Sequence, residues 1–318
     1  MALLALRLQS GARRVAVGVV LAVVLGAALL TKAYFLVFLP PLGLLLFYRA
    51  TRKAVAIALA GSLVIAGWWY WQTWTTTGSL TGNIAMVAPT FTDVMRAAPK
   101  FSVLRAADFA WMSFIWMANW SFIFLRSWMY RAMAVLGVLA LAGVVRLLWK
   151  RDAAVALLSA LLASFALGIA YFALDIFAAG GYPAAFGWYL CCLVATFAIL
   201  FVAGLRAIAP AKVKPVAVPL LVIAFATLEL FGTHILMLPY YTGFISHFPN
   251  GGLPAFHLSR LTKGGWRSML ERLAFFKPAW LTASVLGVLW MLFLLATLAL
   301  VAVSIYLAFA ERQRDRIE

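Results

Sequence analysis

The chain is 318 residues long, 66% hydrophobic and only 11% charged, with a mean hydropathy of +1.02. Globular chains are about half apolar and a quarter charged, so this composition excludes an ordinary soluble domain and requires an apolar solvent. The net charge of +17 would point to nucleic acid in a soluble protein. Here the basic residues lie between apolar runs, where they act as topology signals and headgroup contacts, so the expected partner is membrane lipid and not nucleic acid.

The first apolar run, Val15–Leu30, follows Arg7, Arg13 and Arg14. No small-residue cleavage site and polar mature region come after it, so it reads as an uncleaved helix. Tyr34–Tyr48 is shorter and is interrupted by Pro40 and Pro41; Ala54–Trp71 forms the third span. A mixed segment, Gln72–Leu104, leads to the apolar stretch Asp108–Leu125, which Asp108 is expected to N-cap. Only Arg126 and Ser127 separate that stretch from the next span, too few for a comfortable hairpin. It is therefore expected to be interfacial or re-entrant. Trp128–Leu148, Ala153–Leu174, Pro183–Leu205, Val216–Leu238 and Trp280–Phe309 follow, each near or above the ~20 residues a bilayer needs. Cys191 and Cys192 are neighbours in an apolar run and read as small packing residues. The expected fold class is an all-α integral membrane protein, one polytopic domain over 1–318 with about eight transmembrane helices. Interfacial helices are expected in two long outer loops, about 72–126 and 239–279.

Five basic clusters set the orientation: Arg7/Arg13/Arg14, Arg49/Arg52/Lys53, Arg146/Lys150/Arg151, Arg206/Lys212/Lys214 and Arg312/Arg314/Arg316. All lie on short loops or ends, which the positive-inside rule counts, whereas it discounts long loops. Both termini are then expected in the cytoplasm, with a bacterial inner membrane as the location. Both long loops are rich in aromatic residues, which argues against disorder. In the second, Trp266, Met269, Leu270, Leu273 and Phe276 recur at helical spacing, with Arg267, Glu271 and Arg272 opposite. That pattern predicts an amphipathic helix in the interface.

Ionisable groups in or beside a bilayer are costly and point to function. Lys32, at the outer end of the first span, can hold a lipid phosphate or snorkel to the headgroups. Arg105 and Arg126, with Arg96, Lys100 and Arg131, can join it in an anion site or bind headgroups. Asp93 and Asp108 are the only carboxylates in the first outer loop and the weak candidates for a catalytic base. The cluster Trp68-Trp69-Tyr70-Trp71 with Trp74 can stack on sugars through Tyr70 and Trp74, or form an interfacial aromatic belt. Glu229, midway along its span, and His234 suit a proton relay or an interhelical hydrogen bond. His234, His247 and His257 are too scattered for a sequence-local metal motif, and no phosphate-binding glycine loop is present.

Several segments carry a family resemblance. Gly26 to Tyr34, with Leu29-Leu30-Thr31-Lys32-Ala33-Tyr34 closing an apolar helix, resembles the middle of GT-C glycosyltransferases. These are multi-span enzymes similar to protein mannosyltransferases and aminoarabinose transferases. Trp68-Trp69-Tyr70, followed by Thr77-Gly78-Ser79-Leu80-Thr81-Gly82, is similar to the family's outer-loop pattern. Gly187-Trp188-Tyr189-Leu190, opening a helix that ends in Gly204-Leu205-Arg206, resembles a later family helix that begins with Arg-Tyr. Here Trp188 takes the arginine's place, and Tyr189 is the matching binding residue. The resemblance covers about Leu21 to Leu205 and implies sugar transfer from a polyprenyl-phosphate donor on the non-cytoplasmic face. The family's catalytic Asp or Glu lies in its first outer loop, and the matching region of this chain begins several spans later. The chain is thus expected to be truncated or split, completed by an upstream chain or a missing N-terminal half. A divalent metal is expected only if the full enzyme needs one. The alternatives are a transporter or permease using Glu229 and His234, and a non-catalytic membrane scaffold.

Overall fold

The structure is a computed structural model that describes residues 14–31, 33–47, 49–78, 89–116, 118, 123–181, 187–249, 251–275 and 277–317. Helices make up most of the described residues, and no strand occurs among them, in keeping with an all-α membrane protein. Six helices are long and apolar enough to cross a bilayer: Thr51–Thr77, Ser127–Trp149, Ala153–Gly180, Tyr189–Ile208, Lys214–Tyr241 and Ala283–Ala310. Two shorter apolar segments, Val15–Thr31 and Phe35–Phe47, precede them. The chain divides into two compact units, Met1–Phe114 with Val144–Leu200, and Ile115–Gly143 with Phe201–Glu318.

In the first unit, helix α1 (Arg14–Thr31) and helix α3 (Arg49–Thr77) lie side by side and parallel. Gly18 meets Ala54, Ala22 meets Gly61, and Gly26 meets Ile65, so the contacts climb both helices together. The small residues Gly18, Ala22 and Gly26, spaced by four, let the backbones approach closely, which is how helices associate where lipid offers no hydrophobic drive. Parallel neighbours need the chain to return between them. Ala33–Phe38 and Leu45–Phe47 are 3₁₀ turns flanking the short helix α2 (Leu39–Leu44), whose first turn holds the prolines. At rises of ~2.0 Å for 3₁₀ and ~1.5 Å for α, these 15 residues reach about 27 Å, close to the hydrocarbon thickness. Overwinding thus lets a segment too short for an α-helical span make the return. Phe38 from this return stacks on Phe165 with ring centroids 5.3 Å apart, and Leu21, Leu25, Leu42 and Val55 fill the core beside them.

The loop end of this unit differs from the sequence expectation. Helix α4 (Phe91–Ala97) precedes helix α5, which runs Val103–Ile115 and so starts before Asp108. Ser102, not Asp108, begins α5: its hydroxyl accepts from the Arg105 N–H at 3.4 Å, and its carbonyl accepts from Ala106 N–H at 3.0 Å. Asp108 sits exposed in the body of the helix, so its expected capping role is corrected. A 13-residue helix is about 20 Å long and too short to cross a bilayer. Helix α6 (Ser127–Trp149) follows in the chain, its residues up to Gly143 counted with the second unit, and then helix α7 (Ala153–Gly180). Asp152 caps α7 through its carboxylate, which accepts from Ala154 and Val155 N–H at 3.0 Å each, and Gly181 closes it in the left-handed region at φ 73°. Beyond the 3₁₀ segment Gly187–Leu193 comes helix α8 (Val194–Ile208).

In the second unit, helix α9 (Lys214–Phe231) runs into a π-helical turn, Gly232–Met237, and a final turn α10 (Leu238–Tyr241). Trp116 packs directly on Gly232, where any Cβ would collide with the indole. The predicted amphipathic helix is present as α11 (Trp266–Ala274): Met269 and Leu270 are buried, and Arg267 pairs with Glu271 at 2.9 Å on the exposed face. Phe276, expected to extend it, lies outside the described residues. Arg272 donates to the Thr242 carbonyl at 2.7 Å and lies over the Phe244 ring, which ties α11 to the turn after α10. Helix α12 (Ala283–Ile317) completes the unit and packs against α9 and α11.

Candidate functional site

The candidate site forms where α1, the return segment and α3 diverge. The last carbonyls of a helix have no partner within it. Tyr70 supplies one by donating its phenol to the Leu29 carbonyl at 2.8 Å, and this joins the end of α1 to the middle of α3's last turns. Above and below that bond the helices leave a groove of about 550 Å³. Leu29, Leu36, Leu63, Gly67, Trp71 and Trp74 are among its walls. Ser62, also in the wall, spends its hydroxyl on its own helix by donating to Leu59 O at 2.9 Å. The groove is apolar along its length and ends at two exposed indoles, Trp71 (71% exposed) and Trp74 (51%). Such a slot accepts a hydrocarbon chain and orients nothing polar except at its tryptophan end, where an amphipathic ring suits a headgroup.

Two sequence candidates, Tyr70 and Trp74, line this one groove. Their roles differ. Tyr70 is buried and hydrogen-bonded, so its ring is not a stacking surface for sugar, and that expectation is corrected; Trp74 keeps an open face. Lys32, next in sequence after α1, lies outside the described residues. Arg105 is exposed in the first turn of α5. Arg126 belongs to the other unit and donates to the Leu253 carbonyl at 3.1 Å, so part of its guanidinium holds a loop. Tyr189 is half-buried, edge-on to Phe172 at 5.9 Å. Trp188's side chain falls outside the described residues.

The carboxylate candidates resolve in different ways. Asp93 is the third residue of α4 and forms a capping box with Thr90. Its carboxylate accepts from the Thr90 hydroxyl at 2.6 Å and the Thr90 N–H at 3.0 Å, and Arg96 lies 3.9 Å away. The Thr90 hydroxyl above all, then the Thr90 amide and Arg96, hold this carboxyl below the usual aspartate range. A carboxylate so stabilised is a weak proton acceptor near neutral pH. Glu229 is exposed and accepts from the Thr233 hydroxyl at 2.7 Å. His234 is fully engaged: Nδ1 faces the Leu230 carbonyl at 3.1 Å, Nε2 accepts from the Trp290 indole N–H, and the ring stacks on Trp290. With Nδ1 donating and Nε2 accepting, the neutral imidazole has a partner for each nitrogen. Among the described residues, no group of three or more His, Cys, Asp or Glu side chains is placed to hold a metal.

Sequence reasoning placed Trp71 in its aromatic cluster but missed Leu29, Leu36, Leu63 and Gly67 as walls. The signal for the eight wall residues on α3 was available as spacing: Leu59, Leu63, Gly67 and Trp71 form one i,i+4 row, and Ser62, Ala66, Tyr70 and Trp74 the adjacent row. The chain matches no protein-family profile, no curated protein and no solved structure.

Proposed function

We propose that the chain is the carrier-lipid-binding part of a GT-C-like glycosyltransferase, holding a polyprenyl-phosphate sugar donor on the non-cytoplasmic side of a bacterial inner membrane. The apolar groove ending at Trp71 and Trp74 carries this reading. An isoprenoid tail fills a long slot without polar demands, and the tryptophans mark the depth at which its phosphate emerges. Lys32, immediately after the helix that forms one wall, supplies the phosphate cation in this proposal, with Arg105 as a second. The parallel α1 and α3 with a return between them agree with the alternation of spans that the basic clusters require for cytoplasmic termini. General-base catalysis contributes about 10² to 10⁴ in rate, and Asp93 is committed to a helix cap. Asp108, exposed within α5, stays a candidate. The family resemblance, and not the fate of Asp93, assigns the catalytic carboxylate to a separate segment, and on that reading this chain alone should transfer sugar very slowly. The permease alternative draws no support from His234, whose two ring nitrogens are both engaged.

The test is lipid binding by the purified chain, using a fluorescent polyprenyl phosphate and the matching polyprenol without phosphate. Gly67→Leu should fill the groove and weaken both lipids about tenfold or more, since burying even two methylenes is worth ~1.6 kcal/mol. Lys32→Ala should weaken only the phosphate lipid, by roughly tenfold to a hundredfold for a charge-assisted contact of ~1.5–3 kcal/mol. Unchanged binding of both lipids in the two variants would remove the groove from consideration.

A further inference from the structure

Glu229 is the sixteenth residue of the 28-residue candidate span Lys214–Tyr241. At ~1.5 Å per residue it lies about 20 Å from either end, near mid-bilayer depth and beyond snorkelling reach. Its side chain does not face an internal polar cavity but is exposed on the helix surface, with Phe225 exposed one turn earlier on the same face. Its hydrogen-bond partner is the Thr233 hydroxyl on its own helix. The nearest imidazole, His234, spends both nitrogens on Leu230 and Trp290. Lipid tails donate no hydrogen bonds and a single hydroxyl does not offset a charge, so an ionised carboxylate at this depth calls for a cationic donor.

A second copy of this chain does not offer the right group. In the six long spans, Arg52, Lys53, Arg131, Arg146, Arg206 and Lys214 all lie within five residues of a span end. A two-fold contact through this face would set Glu229 against Glu229, since an isologous interface brings the same surface to both sides. Charge complementarity thus selects a foreign helix with a cation in its middle, the arrangement in which intramembrane charges are tolerated.

We propose that the Glu229 face of Lys214–Tyr241 is the docking surface for a transmembrane helix of a different chain, one that carries a lysine or arginine at mid-bilayer depth. Glu229 accepts from that cation while Thr233 holds the carboxylate's orientation. The proposal does not depend on the lipid groove, which lies in the other unit and is read by a separate binding assay.

The experiment reconstitutes the full-length chain in liposomes, labelled on an added C-terminal tag. Energy transfer to acceptor-labelled polyleucine transmembrane peptides then reports association. The peptides are identical except for a central lysine, leucine or glutamate. The central-lysine peptide should associate at least tenfold more tightly than the other two. Glu229→Gln, which keeps size and the bond from Thr233, should abolish that preference, and Glu229→Asp should retain it. Equal association of the lysine and leucine peptides, or a preference that survives Glu229→Gln, would overturn the proposal. So would self-association of the chain that depends on Glu229.

Discussion

Replacing Gly18 with alanine probes the parallel seam on which the groove depends. A Cβ at Gly18 would lie 2.6 Å from the carbonyl oxygen of Ala54 and 3.0 Å from its Cα. Both atoms are backbone, so no side chain can swing aside, and one helix must move off the other by about 1 Å to restore ordinary contact. Overpacking costs ~1–3 kcal/mol, and against backbone that cannot swing aside the cost is the upper part of that range, ~2–3 kcal/mol; the better helix propensity of alanine returns about 1 kcal/mol. The net loss is about 1–2 kcal/mol, or roughly a fivefold to thirtyfold shift in the unfolding equilibrium. Gly67→Ala in the neighbouring helix is the control. Its Cβ would meet only the Leu63 side chain, Cδ1 at 3.1 Å and Cγ at 3.4 Å, the outer part of a flexible side chain. There the propensity gain wins, and stability should be unchanged or higher by up to about 1 kcal/mol. Unfolding in mixed micelles of mild detergent and dodecyl sulfate, followed by circular dichroism, measures both. Gly18→Ala as stable as the parent, or Gly67→Ala losing as much, would refute the packing argument. Cysteines at Ala22 and Gly61 should also cross-link with oxidant, because those residues face each other across the seam.

Tyr70→Phe removes the donor to the Leu29 carbonyl at the end of α1. The same unfolding assay should show a loss of about 1 kcal/mol, in the range for a single hydrogen bond inside a membrane protein, and equal stability would mean that α1's end is satisfied elsewhere. Asp93 makes a pH prediction. Its pKa is depressed in the folded chain, chiefly by the Thr90 hydroxyl, so its contribution is present above the ordinary aspartate pKa and is lost as pH falls through the lower folded value. Amide exchange in Phe91–Ala97 should therefore stay protected from neutral pH down to about 4 and accelerate below it, after correction for intrinsic exchange. Asp93→Asn should remove that acid dependence, and an acid transition that persists in the variant would assign it to another group.

Sequence alone determined the solvent and much of the element order. An apolar run long enough to bury every backbone bond is helical in lipid, whatever its neighbours do. The 3.6-residue period in Trp266–Ala274 likewise identified an interfacial helix with Met269 and Leu270 inward and Arg267 and Glu271 outward. These are properties of one segment and its surroundings, so a single segment suffices to read them. Asp108 was misassigned because a carboxylate before an apolar run and a carboxylate within one look alike until Ser102 is seen three residues before Arg105, accepting its amide.

Tertiary structure alone decided which faces meet. Nothing in a linear pattern states that Gly18 lies against Ala54, that Ala33–Phe47 overwinds to make the return, or that Tyr70 turns inward to a carbonyl 41 residues earlier. In a bilayer every spanning face is apolar, so hydropathy cannot separate a packed face from a lipid-facing one. Steric fit and hydrogen bonding make that distinction, and both depend on residues far apart in the chain. The same physics left Glu229 ambiguous in sequence: mid-span position signals a cost, but only the fold shows that its carboxylate lies on the surface of its helix and not toward the interior.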